Sequence, residues 1–218
     1  NGSQIVAEGT SDEPIVFTSE SGTSSGSWNK VRVRTSGNIF KWCQFEYGDW
    51  ALHMVGYPSS NNLVKNCTFH DNDQGIRPEK NAIEIISCNF FDNRHNIVTV
   101  NNTQVDIEGC NIYNGSRDGI YSCSGNLLNI YGSVIENNGL GSSNTRNGIY
   151  TFNGDIVNIG RVTTPSWSGY NTIRNNYEDE VYAAYNTEVE INYNSIHDNN
   201  GYEVNNYSGN PTIEAIAC

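Results

Sequence analysis

Basic residues are scarce in this chain. Twelve Lys and Arg face twenty-four Asp and Glu over 218 residues, giving a formal net charge of −12. An acidic chain without any Lys/Arg-rich stretch has no basic footprint for phosphates, so nucleic acid is not expected as a partner. Long apolar runs are missing too: none reaches the ~18 residues that a membrane-spanning helix needs, and no charged-then-apolar leader stands at Asn1. No segment carries apolar residues at i, i+3, i+4, so almost no helix is expected. Cysteine is present six times, but never as the close C-x-x-C pairs of a zinc site.

What the chain has is repetition. An apolar strand ending in a small or polar residue, then x-(Phe/Ile), then a turn closed by Asn or Gly recurs at Cys43, Cys67, Cys88, Cys110, Ser133, Asn171 and Asn194. Two residues after each stands Phe45, Phe69, Phe90, Ile112, Ile135, Ile173 or Ile196. Three further on come Gly48, Asn72, Asn93, Gly115, Asn138, Asn176 and Asn199. Gly and Asn adopt positive φ at low cost, so this last column reads as one left-handed turn per coil. The third residue before the repeat position is Phe40, Val64, Ile85, Ile107, Ile130, Ile159 and Ile191, and the fourth includes Glu84, Asp106, Asn129, Asn158 and Glu190. That alternation gives a packed face and a wet one. A second strand is led by Leu52, Ile76, Ile97, Ile120, Ile149, Val181 and Val204. A period of 20 to 29 residues without helical spacing means stacked β-rungs in one elongated unit.

The phrase Cys67-Thr-Phe-His-Asp-Asn-Asp-Gln-Gly-Ile76, repeated over residues 38 to 218, resembles the right-handed parallel β-helix repeat of pectate-lyase-like and secreted or cell-surface proteins. Ile5-Val-Ala-Glu-Gly-Thr10, Pro14-Ile-Val-Phe-Thr-Ser19 and Ser27-Trp28-Asn29 are similar to the opening rungs of such surface proteins. The resemblance implies an all-β, single-stranded right-handed parallel β-helix of about eight coils, one domain over residues 1–218. It implies no single activity, because the architecture hosts lyases, hydrolases, epimerases, adhesins and spacers. Pro211-Thr-Ile-Glu-Ala-Ile-Ala-Cys218 repeats the strand phrase and stops at the repeat position, so the chain is expected to be part of a longer protein or to stack axially on another molecule.

Cys43, Cys67, Cys88 and Cys110 share one column and should form a buried stack of free thiols, their side chains parallel rather than facing. Cys123 and Cys218 lie outside that stack and are open to pairing between molecules. Insertions at 139–146 and 160–169, the second carrying Arg161, Pro165 and Trp167, are read either as binding loops or as loop decoration. Sequons begin at Asn1, Asn66, Asn101, Asn114 and Asn206.

Three outward constellations are candidate sites. Tyr121, Tyr150 and Tyr182 follow the second-strand apolar position in successive coils and form a ladder flanked by Val98 and Arg77. Such a ladder either stacks on sugar faces or stabilises the sheet. Arg77, Lys80, Arg94, Arg117 and Arg146 cluster in or beside the turn before that strand, with His95 and Asp118 close by. Cations gathered on an acidic molecule suggest an anionic ligand. With a uronic-acid polymer, His95 would remove the α-proton while Arg94 and Arg117 steady the charge, giving β-elimination; a solvated turn is the plainer reading. Arg146 and Trp167 join the substrate-binding candidates. Glu84 and Asp106 are neighbouring acids that could share Ca²⁺, but that ion takes six to eight oxygens, so solvated acids are expected and no cofactor is required.

The expected function is therefore a secreted or cell-surface module, a rigid scaffold presenting a carbohydrate-binding surface to a polysaccharide or cell-surface glycan. The alternatives are a lyase, hydrolase or epimerase acting on acidic glycans, and a structural subunit of a sheath, surface layer or filament.

Overall fold

A computed structural model describes residues 3–56, 61–142, 144–160 and 170–216. Three parallel sheets run its length, with nine, eight and eight strands among the described residues. The first runs from Val6–Glu8 to Thr212–Ile216, the second from Ile15–Phe17 to Ser195–His197 and the third from Val31–Val33 to Val204–Asn206. Within each sheet neighbouring strands come from successive coils, so the chain winds as a parallel β-helix, and no helix occurs among the described residues.

The repeat sets the register. Phe45 pairs with Phe69, Phe69 with Phe90 and Phe90 with Ile112 in the second sheet. Ile85 lies between Val64 and Ile107 in the first, and Ile120 between Ile97 and Ile149 in the third. Ile159 pairs with Ile130, which places the second insertion after it. Phe17, Phe45, Phe69 and Phe90 stack face to face at 4.6, 4.7 and 4.8 Å. Each fully buried Phe contributes ~1.5–3 kcal/mol of hydrophobic stabilisation.

The corner geometry corrects the sequence reading. Positive φ belongs not to the Gly/Asn column but to the residue before it: Tyr47, Asp71, Asp92, Asn114, Asn137, Asn175 and Asp198. The column residue itself turns inward. Asn72 accepts from Gly48 N–H through Oδ1, Asn93 from Asn72 N–H, Asn138 from Gly115 N–H and Asn176 from Asn138 N–H, all at 2.8–3.0 Å. Asparagine is selected here for a side-chain carbonyl that recurs once per coil, satisfying a buried N–H that the sheet ladder cannot reach. Where Gly115 supplies no side chain, Asn96 bridges the gap, accepting from Asn93 at 2.8 Å and donating to Asn138 at 3.0 Å. Glu180 closes the far end, accepting from both the backbone N–H and Nδ2 of Asn176.

The same device operates at the other two corners. The N–H groups of Cys43, Cys67 and Cys88 each donate to the sulfur of the next cysteine at 3.4 Å, Cys110 N–H donates to Ser133 Oγ at 3.1 Å and Ser133 N–H to Asn171 Oδ1 at 2.9 Å. The four stacked cysteines are buried and free, as expected, and Cys123 is free and half-buried. Burial, followed by hydrogen bonds from Cys110 and Cys67, pushes the Cys88 thiol up. At the third corner Asn38, Asn126 and Thr103 take part in a like ladder: Asn38 N–H donates to Asn62, Thr103 N–H to Asn126 and Asn126 N–H to Asp155. Cys218 and the span 161–169, with Arg161, Pro165 and Trp167, lie outside the described residues.

Candidate functional site

The outer face of the third sheet gathers most of the candidates. Its outward column, read by strand pairing, is His53, Arg77, Val98, Tyr121, Tyr150, Tyr182 and Asn205, with His53 and Val98 buried by their neighbours. Beside it run Trp50, Gln74 and His95, and then Asp118, Asn147 and Asp179. Those three are linked by side-chain bonds: Asn147 N–H and Nδ2 both donate to Asp118 Oδ1 at 3.0 Å, and Asp179 N–H donates to Asn147 Oδ1 at 3.1 Å.

Along the helix axis this face has three zones. In the first, the Lys30 ammonium and the Arg77 guanidinium lie over the Trp50 ring, 3.5 and 4.4 Å from its centroid, so these cations already have an aromatic partner. His53 meets Glu79 at 3.1 Å, yet burial still lowers its pKa. Lys80 is not part of this group. It occupies the left-handed corner beyond the end of the Gln74–Glu79 strand.

The second zone holds the elimination candidates. His95 is only 7% exposed and Asp118 is fully buried, with His95 Nδ1 3.7 Å from Asp118 Oδ2 and both atoms lacking a hydrogen-bond partner. Burial, then the charges of Arg117, Arg94 and Arg77, lower the His95 pKa to about 3, so its ring is neutral and weakly basic. Burial raises the Asp118 pKa against the hydrogen bonds from Asn147 and Thr145. Arg94 is committed to Asp73 at 3.1 Å. The structure thus brings Arg94, His95 and Arg117 near one another but keeps the imidazole inside the wall rather than facing a substrate.

The third zone is a cleft. Tyr121 and Tyr150 stack at 5.5 Å with planes 6° apart, and Tyr150 and Tyr182 at 4.7 Å with planes 9° apart. The ring faces are spent on one another, so what the ladder offers outward is its edges and hydroxyls. Burial, together with nearby groups such as Cys123 and Tyr150, moves the Tyr121 pKa to about 12, and burial likewise raises those of Tyr150 and Tyr182, which keeps the phenols protonated as donors. Over Tyr150 and Tyr182 lies a cavity of about 380 Å³ walled by Asn144 and Thr145 of the first insertion and by Tyr177, Asp179 and Asn200. Gly139 starts that insertion at φ 88°, where any Cβ would strike Arg146, and Gly139 and Gly141 tie it down through bonds to Gly115 and Ser116 carbonyls. Arg146 covers one face of the Tyr177 ring at 3.8 Å and bridges to Glu178 at 3.1 Å, while Tyr177 remains 45% exposed.

Glu84 and Asp106 sit elsewhere, side by side on the outer face of the first sheet. Asn129 donates to Asp106 at 2.6 Å and Asn158 to Asn129 at 2.7 Å, so amides follow the acids along that column. No group of three potential metal ligands forms among the described residues. Sequence reasoning placed Asp118 beside His95 but missed Trp50, Asn147, Tyr177 and Asp179 as members of this face. A count of two residues back from each second-strand apolar position would have found all but Tyr177.

A family model described as a right handed beta helix region matches residues 4–163. Among solved structures, the crystal structure of pectate lyase Pel9A superimposes with a TM-score of 0.52 at 14% identity, covering 89% of this chain. The chain corresponds to 62% of that enzyme's length, and a likeness at this identity is one of fold. The comparison with curated proteins finds no match.

Proposed function

Because the chain belongs to the right-handed β-helix family, we propose that it is a rigid, secreted or cell-surface scaffold that binds glycan chains on the outer face of its third sheet. The observation that carries this reading is the cleft of about 380 Å³ over Tyr150 and Tyr182. Its walls combine aromatic edges, phenol donors and amide side chains, the mixture of apolar area and orienting polar groups that suits a sugar. The tyrosine column runs from Tyr182 through Tyr150 to Tyr121 in successive coils, a direction a polymer can follow along the helix axis. Elimination chemistry is less well served, since a base must reach the proton it removes and His95 is enclosed.

Affinity electrophoresis through gels containing polysaccharides tests the proposal. The wild-type chain should be retarded by at least one glycan, and the double variant Tyr177→Ala, Asn200→Ala should migrate freely while its β-rich circular dichroism is unchanged. Equal retardation of the two would remove the cleft from the account. Incubation with polyuronates, with and without Ca²⁺, should give no unsaturated ultraviolet-absorbing product; its appearance would favour a lyase.

A further inference from the structure

The chemistry of the cleft bears on which glycans it takes, an inference that rests on the binding role just described. Four cations near this face are already held: Arg94 by Asp73, Arg146 by Glu178 and Tyr177, Lys30 and Arg77 by Trp50. The described lining of the cavity contains two carboxylates, Glu178 and Asp179, and no Lys or Arg. Asp179, a lining residue only 6% exposed, accepts from Tyr202 N–H at 2.8 Å and from Asn205 Nδ2 at 2.7 Å. A carboxylate offers about four lone-pair sites, and these two bonds use one on each oxygen, so Asp179 keeps capacity for a hydroxyl donor. A second carboxylate brought beside it, in an opening on a chain of net charge −12, meets like charge with no cation to offset it.

We propose that the cleft selects uncharged glycans and excludes uronates, reversing the expectation of an anionic ligand that the Lys and Arg positions suggest. Sugar hydroxyls donate to Asp179 and exchange hydrogen bonds with Asn144, Asn147 and Asn200, while the edges of Tyr150 and Tyr182 and the open face of Tyr177 cover the apolar side of the ring. Arg146 does not counter this, because its guanidinium is already shared between Glu178 and one face of Tyr177.

Isothermal titration calorimetry of the whole chain against uncharged hexasaccharides of glucan, xylan and mannan type, and against hexagalacturonate, decides the matter at low and high salt. At least one uncharged oligomer should bind at least ten-fold more tightly than the uronate, and salt should narrow the gap. The double variant Asn144→Lys, Asn200→Lys, both at exposed positions on the rim, should gain ten-fold or more for hexagalacturonate with an unchanged melting temperature. Tighter binding of the uronate by the wild type, or no gain in the lysine variant, overturns the selectivity while leaving glycan binding intact. Failure of every oligomer to bind overturns both.

Discussion

The backbone N–H of Cys67 donates to the sulfur of Cys88, one coil further along, at 3.4 Å. The column in which they stand passes from cysteine to serine to asparagine at Cys110, Ser133 and Asn171 without breaking the series of bonds. What these residue types share is an acceptor within reach of the neighbouring coil, not hydrophobicity. Cys88→Ser should therefore be tolerated better than Cys88→Ala, by about 1 kcal/mol in urea unfolding, since alanine orphans the Cys67 N–H. A less stable serine variant would mean that apolar packing governs the column.

The asparagine column yields a contrast between adjacent positions. Asn93 is buried and accepts from both Asn72 N–H and Asn72 Nδ2 at 2.9 Å, whereas Asp92 is exposed at φ 54°. Asn93→Gly should cost about 2–4 kcal/mol through unsatisfied buried groups. Asp92→Gly should change stability by under about 1 kcal/mol, as relief of the left-handed strain offsets the added chain entropy. Thermal unfolding of the two variants checks this, and the reverse order would restore a left-handed role for Asn93.

Glu180 gives the solenoid a pH dependence. Its carboxyl is fully buried at the end of the asparagine ladder, and burial raises its pKa from 4.5 to about 7 against the hydrogen bonds from Asn176 and the charge of His197. The folded state keeps the proton between these values while the unfolded state releases it. This group's contribution is therefore fully present below pH 4.5 and lost as pH rises through about 7, a change of about 3 kcal/mol. Asp118 and Asp155 shift in the same direction and His95 in the opposite one, so the difference between wild type and Glu180→Gln isolates the effect of this one carboxyl. Denaturant midpoints from pH 4 to 8 should converge at the acid end, with the variant gaining in relative stability toward pH 8. Parallel curves would place the charge elsewhere.

The sheets were legible because each strand column is chemically uniform: Phe45, Phe69 and Phe90, or Ile97, Ile120 and Ile149, reveal both period and register. The corners were misjudged by one residue. The strained position tolerates Tyr47, Asp71, Asp92 and Asn114 alike and so leaves no pattern, while the amide that recurs one step later reports a hydrogen bond and not a backbone angle. The tyrosine ladder could be read from spacing, but its consequence could not, because only the ring planes show that Tyr121, Tyr150 and Tyr182 consume their own faces. Nor could the cleft be read, since it needs the first insertion folded against Tyr177, a residue outside every repeated column.

Amide chemical-shift mapping of the isotopically labelled chain during titration with its best-binding uncharged hexasaccharide tests the central claim most directly. The account predicts shifts concentrated at Asn144, Thr145, Asn147, Tyr177, Asn200 and Gly201, the rim of the cleft. Shifts centred on Trp50 and Arg77, or on Glu84 and Asp106 across the molecule, would contradict it.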